Sequence, residues 1–331
     1  MGHPDSRAGA AEPEAIETIA ATEASADVVC VASWNADLIS HVARPIARGE
    51  TLMASAFSIS PGGKGSNAAV AAARQGARVA LIARIGDDDF GRMGMALWQA
   101  EGIATDHVER AAGERSGVAQ ILVYDDGDNS IAVCPGAGSG LGAPQVQAAH
   151  SVLRGCRVVM ASCEVPVEAT LQAFRLAREA GAITLLNPAP ARPLPEQLLA
   201  LVDVLTPNES ELYQLAGAAH SGSVDAAANH LLAGGTRAVL VTLGAAGCRL
   251  YQSGHAPTGL AGRSMAVLDT IGAGDTFTGA LAAALARGEP LASAMQWANA
   301  AAALSVTRRG AIDGIPVLAD VAALMKQATG Q

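Results

Sequence analysis

Aromatic side chains are scarce, with three Trp, three Tyr and four Phe making up 3% of 331 residues. So few rings leave little surface on which a planar base could stack. Basic residues are also in deficit: 22 Lys and Arg stand against 31 Asp and Glu, a net charge of -9. Nothing clusters Lys and Arg beyond Arg308-Arg309, which argues against a nucleic-acid partner. The five cysteines, Cys30, Cys134, Cys156, Cys163 and Cys248, are odd in number and widely spaced, with no Cys-x-x-Cys and no paired His. That pattern indicates neither a disulfide framework nor a zinc site, and fits a reducing cytoplasm. No apolar run approaches the roughly 18 to 20 residues that span a bilayer, so no membrane partner is expected. Residues 1–26 lack the basic start and apolar stretch of a secretory signal, and read as a disordered tail before one domain over 27–331.

Half the residues are apolar, only 16% are charged, and glycine occurs 36 times. Such a chain can bury one large core, and its glycines are not spread evenly. The segment Asp269-Thr270-Ile271-Gly272-Ala273-Gly274-Asp275-Thr276 sets a carboxylate on a glycine turn opening into an Ala-rich helix over 276–286. Backbone N–H groups of Gly272, Ala273, Gly274 and Asp275 at such a helix start would hold an anionic phosphate. Asp275 is badly placed to bind that anion but well placed to take a proton from a hydroxyl attacking it. The alternative is a plain helix-capping Asp.

Short β-branched runs over 28–31, 79–83, 157–161, 183–186, 202–205 and 238–242 alternate with helical stretches over 67–75, 91–101, 166–180, 209–215, 223–233, 276–286 and 291–305. The alternation predicts an α/β fold, a mostly parallel sheet covered by helices on both faces. Residues 38–60 and 116–134 break the pattern. They are strand-like, with turn residues at 124–129, and predict one small separate sheet.

Further motifs stand in order along the chain: Asn35-Ala36-Asp37, Gly62-Gly63-Lys64-Gly65-Ser66-Asn67, Asn187-Pro188-Ala189-Pro190-Ala191, Pro207-Asn208-Glu209-Ser210-Glu211 and Thr242-Leu243-Gly244-Ala245-Ala246-Gly247. With the segment around Asp275, this set resembles the ribokinase family of sugar kinases, also called the PfkB family, over roughly residues 28 to 318. The resemblance implies a ribokinase-like three-layer α/β/α fold with a β lid formed by about 38–60 and 116–134. It implies ATP-dependent phosphorylation of the 5-hydroxyl of D-ribose, and commonly a homodimer made through the lid. Sugar-binding residues implied are Asn35, Asp37, Gly63, Lys64, Gly65, Asn67 and Glu164, with Asp275 as the base. Nucleotide and Mg2+ fall to Asn208, Glu211, Thr242, Gly244, Gly247, Gly274 and Asn299. A K+ site would use the Asp269 side chain and the backbone around Ile271, Ser305, Arg308, Gly310 and Gly314. Glycine at 314 replaces the usual serine, which would weaken that site.

Other readings use the same residues. A related kinase could act on another sugar, a sugar acid or a nucleoside, since Trp34 and Pro61 flank the sugar motifs and depart from the family pattern. Trp34 and His41 themselves read as packing or as sugar contacts. A regulator without catalysis would be expected to lose Asp275 or its glycines. An oxidoreductase should carry Gly-x-Gly-x-x-Gly after its first strand, where Ala32-Ser33-Trp34-Asn35-Ala36-Asp37 stands. A Walker loop is absent because Lys64 is followed by Gly65.

Overall fold

A computed structural model describes residues 26–329, so the tail expected over 1–26 lies, but for Ala26, outside the described residues. The strands are β1 Val28–Ala32, β2 Asn35–Val42, β3 Ala56–Gly62, β4 Val79–Gly86, β5 Ala104–Ala111, β6 Gly117–Tyr124, β7 Asn129–Cys134, β8 Val158–Ser162, β9 Ile183–Asn187, β10 Val204–Leu205, β11 Ala238–Thr242, β12 Cys248–Gln252 and β13 Thr258–Leu260. The helices are α1 Lys64–Arg74, α2 Asp89–Ala100, α3 Ala143–Ala148, α4 His150–Gly155, α5 Val167–Glu179, α6 Glu196–Leu199, α7 Glu209–Ala216, α8 Val224–Ala233, α9 Ala273–Ala286, α10 Leu291–Ser305 and α11 Leu318–Thr329.

Nine strands form one sheet in the order β13-β12-β11-β10-β9-β8-β1-β4-β5, parallel except for the β11-β12-β13 end. Strand side chains alternate between faces. Val28 and Cys30 accordingly join α1, α9 and α10 in one apolar layer, while Val29 and Val31 join α5, α7 and α8 in the other. The three-layer α/β/α expectation holds. From β1 the chain winds outward to β4 and β5, then returns to β8 on the other side, so the order reverses between β1 and β8. Crevices open at such reversals, beyond the carboxyl ends of the strands.

The two irregular segments pair into a four-stranded sheet, β3-β2-β6-β7. Its strands start and stop at 35–42, 56–62, 117–124 and 129–134, close to the expected 38–60 and 116–134, with 43–55 outside the strands. The turn expected at 124–129 joins β6 to β7 as an antiparallel hairpin, with Val123 opposite Asn129. Among the described residues no helix is long and apolar enough to cross a membrane.

Two helices begin three residues earlier than their sequence suggested. α9 starts at Ala273 rather than Thr276, and α1 at Lys64 rather than Asn67. In both, a glycine with positive φ (Gly272 at 76°, Gly63 at 92°) takes the cap position, which lets the helix begin directly from a tight turn. Asp275 therefore lies inside the first turn of α9, and the capping alternative for it falls.

Candidate active site

The reversal point gathers side chains from four elements. Ser33, just past β1, donates from Oγ to Glu164 Oε2 at 2.7 Å and accepts from Gly65 N at 3.1 Å. Lys64 N donates to the same Glu164 oxygen at 2.8 Å. Glu164 thus ties the start of α1 to the ends of β1 and β8, rather than capping α5. The helix start lies hard against β1, since a Cβ on Gly65 would stand 2.6 Å from Ala32 Cα. Asn35 is buried, and the Asp37 carboxylate lies against Gly62, where a Cβ would come within 2.1 Å of its Oδ1.

Asp275 is 5% exposed. Its Oδ2 accepts from Asn67 Nδ2 at 2.9 Å and its Oδ1 from Asn187 Nδ2 at 3.5 Å. Burial pushes its carboxyl up to about 6, opposed by the Lys64 charge and the Asn67 hydrogen bond. Asp37 is pushed up to about 7 by burial and by the neighbouring Glu164 charge, with Lys64 opposing. Lys64 is raised above the usual lysine range by Asp275 first, against burial, with Glu164, Glu211 and Asp37 adding to it. A half-buried ammonium is thus held among four carboxylates, the electrostatic pattern of a working site.

Beside these groups is a cavity of about 240 Å³ lined by Ser33, Trp34, Asn35, Val133, Glu164 and Pro190. A larger hollow of about 540 Å³ lies at the opposite end of the sheet around Asp203. There Asp203 is already held by Arg178, Arg237 and Thr184, which marks a structural ion-pair cluster. Trp34 packs edge-on against Trp98 with centroids 5.4 Å apart and donates to Phe90 O. It serves as core while also walling the smaller cavity. His41 is exposed on β2.

At the start of α9, Ala273 N turns back to Thr270 O at 3.3 Å, so the anion-holding role expected of this N–H is partly taken inside the turn. Gly274 is exposed, and a Cβ there would meet nothing within 4 Å. The turn opens on free space beside Asp275.

Asn208 and Glu211 form a reciprocal helix cap: Asn208 Oδ1 accepts from Glu211 N at 2.8 Å, and Glu211 Oε2 from Asn208 N at 2.9 Å. Thr242 pairs with Asn208 across an isolated parallel bridge. The turn from Gly244 to Gly247 is pinned to the end of β13 and the residues just after it, since a Cβ on Gly247 would stand 2.1 Å from Leu260 O and 2.4 Å from Gly262 N. Asn299, expected beside a nucleotide ring, is buried and donates to Ala261 O at 3.2 Å, which ties α10 to this same stretch.

Asp269 accepts from Ile271 N at 2.9 Å and Gly310 N at 2.8 Å. A Cβ on Gly314 would stand 2.8 Å from Gly310 O, 2.9 Å from Ser305 O and 3.7 Å from Arg308 O. Three of the carbonyls expected around a cation converge there, at a spot closed to any larger side chain without movement. The Ile271 side chain, by contrast, is half exposed. The sequence reading gave no role to Ser33 or Asn187. The available signal was position, a polar residue at the carboxyl end of a strand beside the reversal point.

The model of the pfkB family of carbohydrate kinases matches residues 25–318. The chain belongs to that family, and its site is that of an ATP-dependent sugar kinase. It is 37% identical over 286 residues to the ribokinase of Haemophilus influenzae, covering 86% of this chain and 93% of the relative. It is 34% identical over 293 residues to the deoxyribokinase of Salmonella typhimurium, covering 88% and 95%. The structure of Arabidopsis thaliana ribokinase complexed with ribose and ATP superposes with a TM-score of 0.85 at 30% identity, covering 91% of this chain and 99% of that one.

Proposed function

We propose that the chain is a ribokinase, transferring the γ-phosphoryl group of ATP to the 5-hydroxyl of D-ribose. The observation that carries the reading is Asp275, a buried carboxylate on the first turn of α9, flanked by Lys64, Asn67 and an open glycine turn. In this reading Asn35, Asp37, Gly63, Lys64, Gly65, Asn67 and Glu164 hold the sugar. Polar groups at such a pocket discriminate sharply, because a sugar lacking a hydroxyl leaves them unpaired. Asp275 accepts the proton of the attacking hydroxyl as the new P–O bond forms and the bond to the departing ADP breaks. Gly272, Ala273, Gly274 and Asp275 direct N–H groups at the transferring oxygens, and positioning with electrostatics supplies most of the rate.

Thr242, Gly244, Gly247 and Asn299 are assigned to the nucleotide. Asn208 and Glu211 are assigned to hydrated Mg2+: Glu211 lies near enough to Lys64 and Asp275 to bias both, which suits holding that ion through water. Mg2+ bound with ATP would neutralise phosphate charge. The oxygen-only gathering of Asp269 with Ser305, Arg308, Gly310 and Gly314 fits K+, with Ile271 closing the ring through its backbone. Residues 38–60 and 116–134 are read as a lid that excludes water over the sugar, residues 27–331 as one kinase domain, and the protein as a cytoplasmic homodimer joined through the lid.

The test is ADP release from Mg-ATP in K+ and in Na+, against D-ribose, 2-deoxyribose, other pentoses, fructose, a keto sugar acid and nucleosides. Preference for D-ribose with ribose 5-phosphate as product is expected, with faster turnover in K+. A preference for 2-deoxyribose would overturn the substrate and keep the Asp275 chemistry, and silence with every sugar would overturn the kinase reading.

A further inference from the structure

We propose that Asn187 is a positioning residue for the base, and that with Asn67 it fixes which oxygen of Asp275 receives the substrate proton. The proposal rests on the functional reading above for the identity of that proton. Asn67, Asn187 and Asp275 are all buried, and they come from α1, β9 and α9, three elements that share no local sequence. Asn67 donates to Oδ2 at 2.9 Å, while Asn187 reaches Oδ1 at 3.5 Å. The close bond commits Oδ2, whereas the long one orients Oδ1 and leaves it the freer lone pair. Oδ1 is therefore the proton acceptor. The O–H bond of the hydroxyl breaks, an O–H bond to Oδ1 forms, and Asn67 stays on Oδ2 throughout.

Asn187 is a rigid post for this task. It is the last residue of β9, in parallel register with Ser162 of β8, and two residues on Ala189 O accepts from Cys163 N. A second thread ties the same strand end to the same helix turn. Thr206 Oγ1 contacts Leu186 O at 3.4 Å and Thr278 Oγ1 at 3.2 Å, and Thr278 Oγ1 donates to Gly274 O at 3.0 Å. The end of β9 and the start of α9 are thereby linked through Thr206 as well as through the carboxylate. The other groups facing Asp275 are Cys30 on β1, Asp37 on β2, Lys64 on α1, Glu164 after β8 and Glu211 on α7, and a change at Asn187 alters none of their charges.

The experiment compares the full chain with Asn187→Leu, which keeps the volume and loses the donor, and with Asn187→Ser, a smaller change should the first fold poorly. The Asp275 carboxyl is titrated by ¹³C NMR, assigned with Asp275→Asn, and kcat and KM for D-ribose and ATP are followed against pH. A donor to the ionised form favours it, so losing Asn187 should shift the titration upward. The acid limb of kcat/KM should move with it. At neutral pH kcat is expected to fall roughly tenfold or more with both KM values little changed, and to fall no further in an Asp275→Asn background. An unmoved titration, or an equal loss in the Asp275→Asn background, would overturn the role. Should no sugar be turned over, the functional reading fails, and the titration alone still decides the placement of Asn187.

Discussion

Asp275 illustrates how burial can serve chemistry. Exposed, it would be a weak base; buried beside Lys64 it ionises near 6, which leaves it charged at neutral pH and more basic than a surface aspartate. General-base help is typically worth ~100 to 10,000-fold, so Asp275→Asn should lower kcat by about that factor while ATP binding, measured by calorimetry, stays unchanged. In the unmodified enzyme kcat/KM should fall about tenfold per pH unit below about 6, where the base becomes protonated. Near-normal turnover in Asp275→Asn would remove it from the mechanism. Asp37 carries a different consequence, because its carboxyl is pushed to about 7 from an ordinary value of 3.8. Between those values the folded chain holds a proton that the unfolded chain has released, so this group's contribution to stability is present at low pH and lost as pH rises through about 7. Asp37→Asn removes that loss. Its melting temperature should match the parent near the low end of the window, exceed it increasingly toward neutrality, and hold a constant lead above. Parallel melting curves across pH would show that Asp37 bears no such strain, and the gain should come with weaker sugar binding.

The elements that carry these residues meet more closely than side chains would allow. α1 brings Lys64 and Asn67, α9 brings Asp275, and the two helices cross at Gly279, where a Cβ would stand 2.2 Å from Ala68 O and 2.6 Å from Ala71 Cβ. Gly279→Ala should force them apart and destabilise the fold by about 1–3 kcal/mol, read by chemical denaturation. Because Asn67 and Asp275 are hydrogen-bonded across that seam, kcat should fall further than stability alone explains, since small misplacements of reacting groups weigh heavily on rate. Unchanged kcat in a destabilised Gly279→Ala would separate the seam from catalysis. The central strands and the long helices other than α11 Leu318–Thr329 were legible because their apolar residues are continuous or periodic. β5, reading Ala-Thr-Asp-His-Val-Glu-Arg-Ala, was not, since it lies at the sheet edge and is largely polar. β12 and β13 were missed because an antiparallel return after a Gly247 turn interrupts the expected alternation of strand and helix. The site was legible where a motif names a residue, as with Asp275 and Asn67. The contacts between them were opaque, because no local spacing encodes Asn67 meeting Asp275 across 208 residues or Asn187 meeting it across 88.

At the scale of the whole molecule, the small sheet raises a question of exposure. Register puts Ile59 opposite Leu38 and Phe57 opposite Ser40 on one face, while Asp37, Ile39, Ile131 and Val133 belong to the other. The Asp37 face looks toward the site, as Val133 on the cavity wall indicates. The opposite face still leaves Phe57 61% and Ile59 48% exposed on an edge strand. A sheet that is apolar on both faces and open along β3 invites pairing, and a second copy of the chain offers a self-matching surface. We expect the protein to sediment as a dimer at micromolar concentration, and Phe57→Lys combined with Ile59→Lys to shift it to monomer with its helical spectrum intact. Both positions lie on the face turned away from Asp37, so a direct loss of sugar contacts is not expected. If the lid needs its partner to hold position, KM for the sugar should rise with dissociation and recover at high protein concentration for the milder single change Ile59→Lys. A monomeric parent chain would overturn the dimer, and a monomeric double variant with unchanged sugar KM would show that each lid closes on its own.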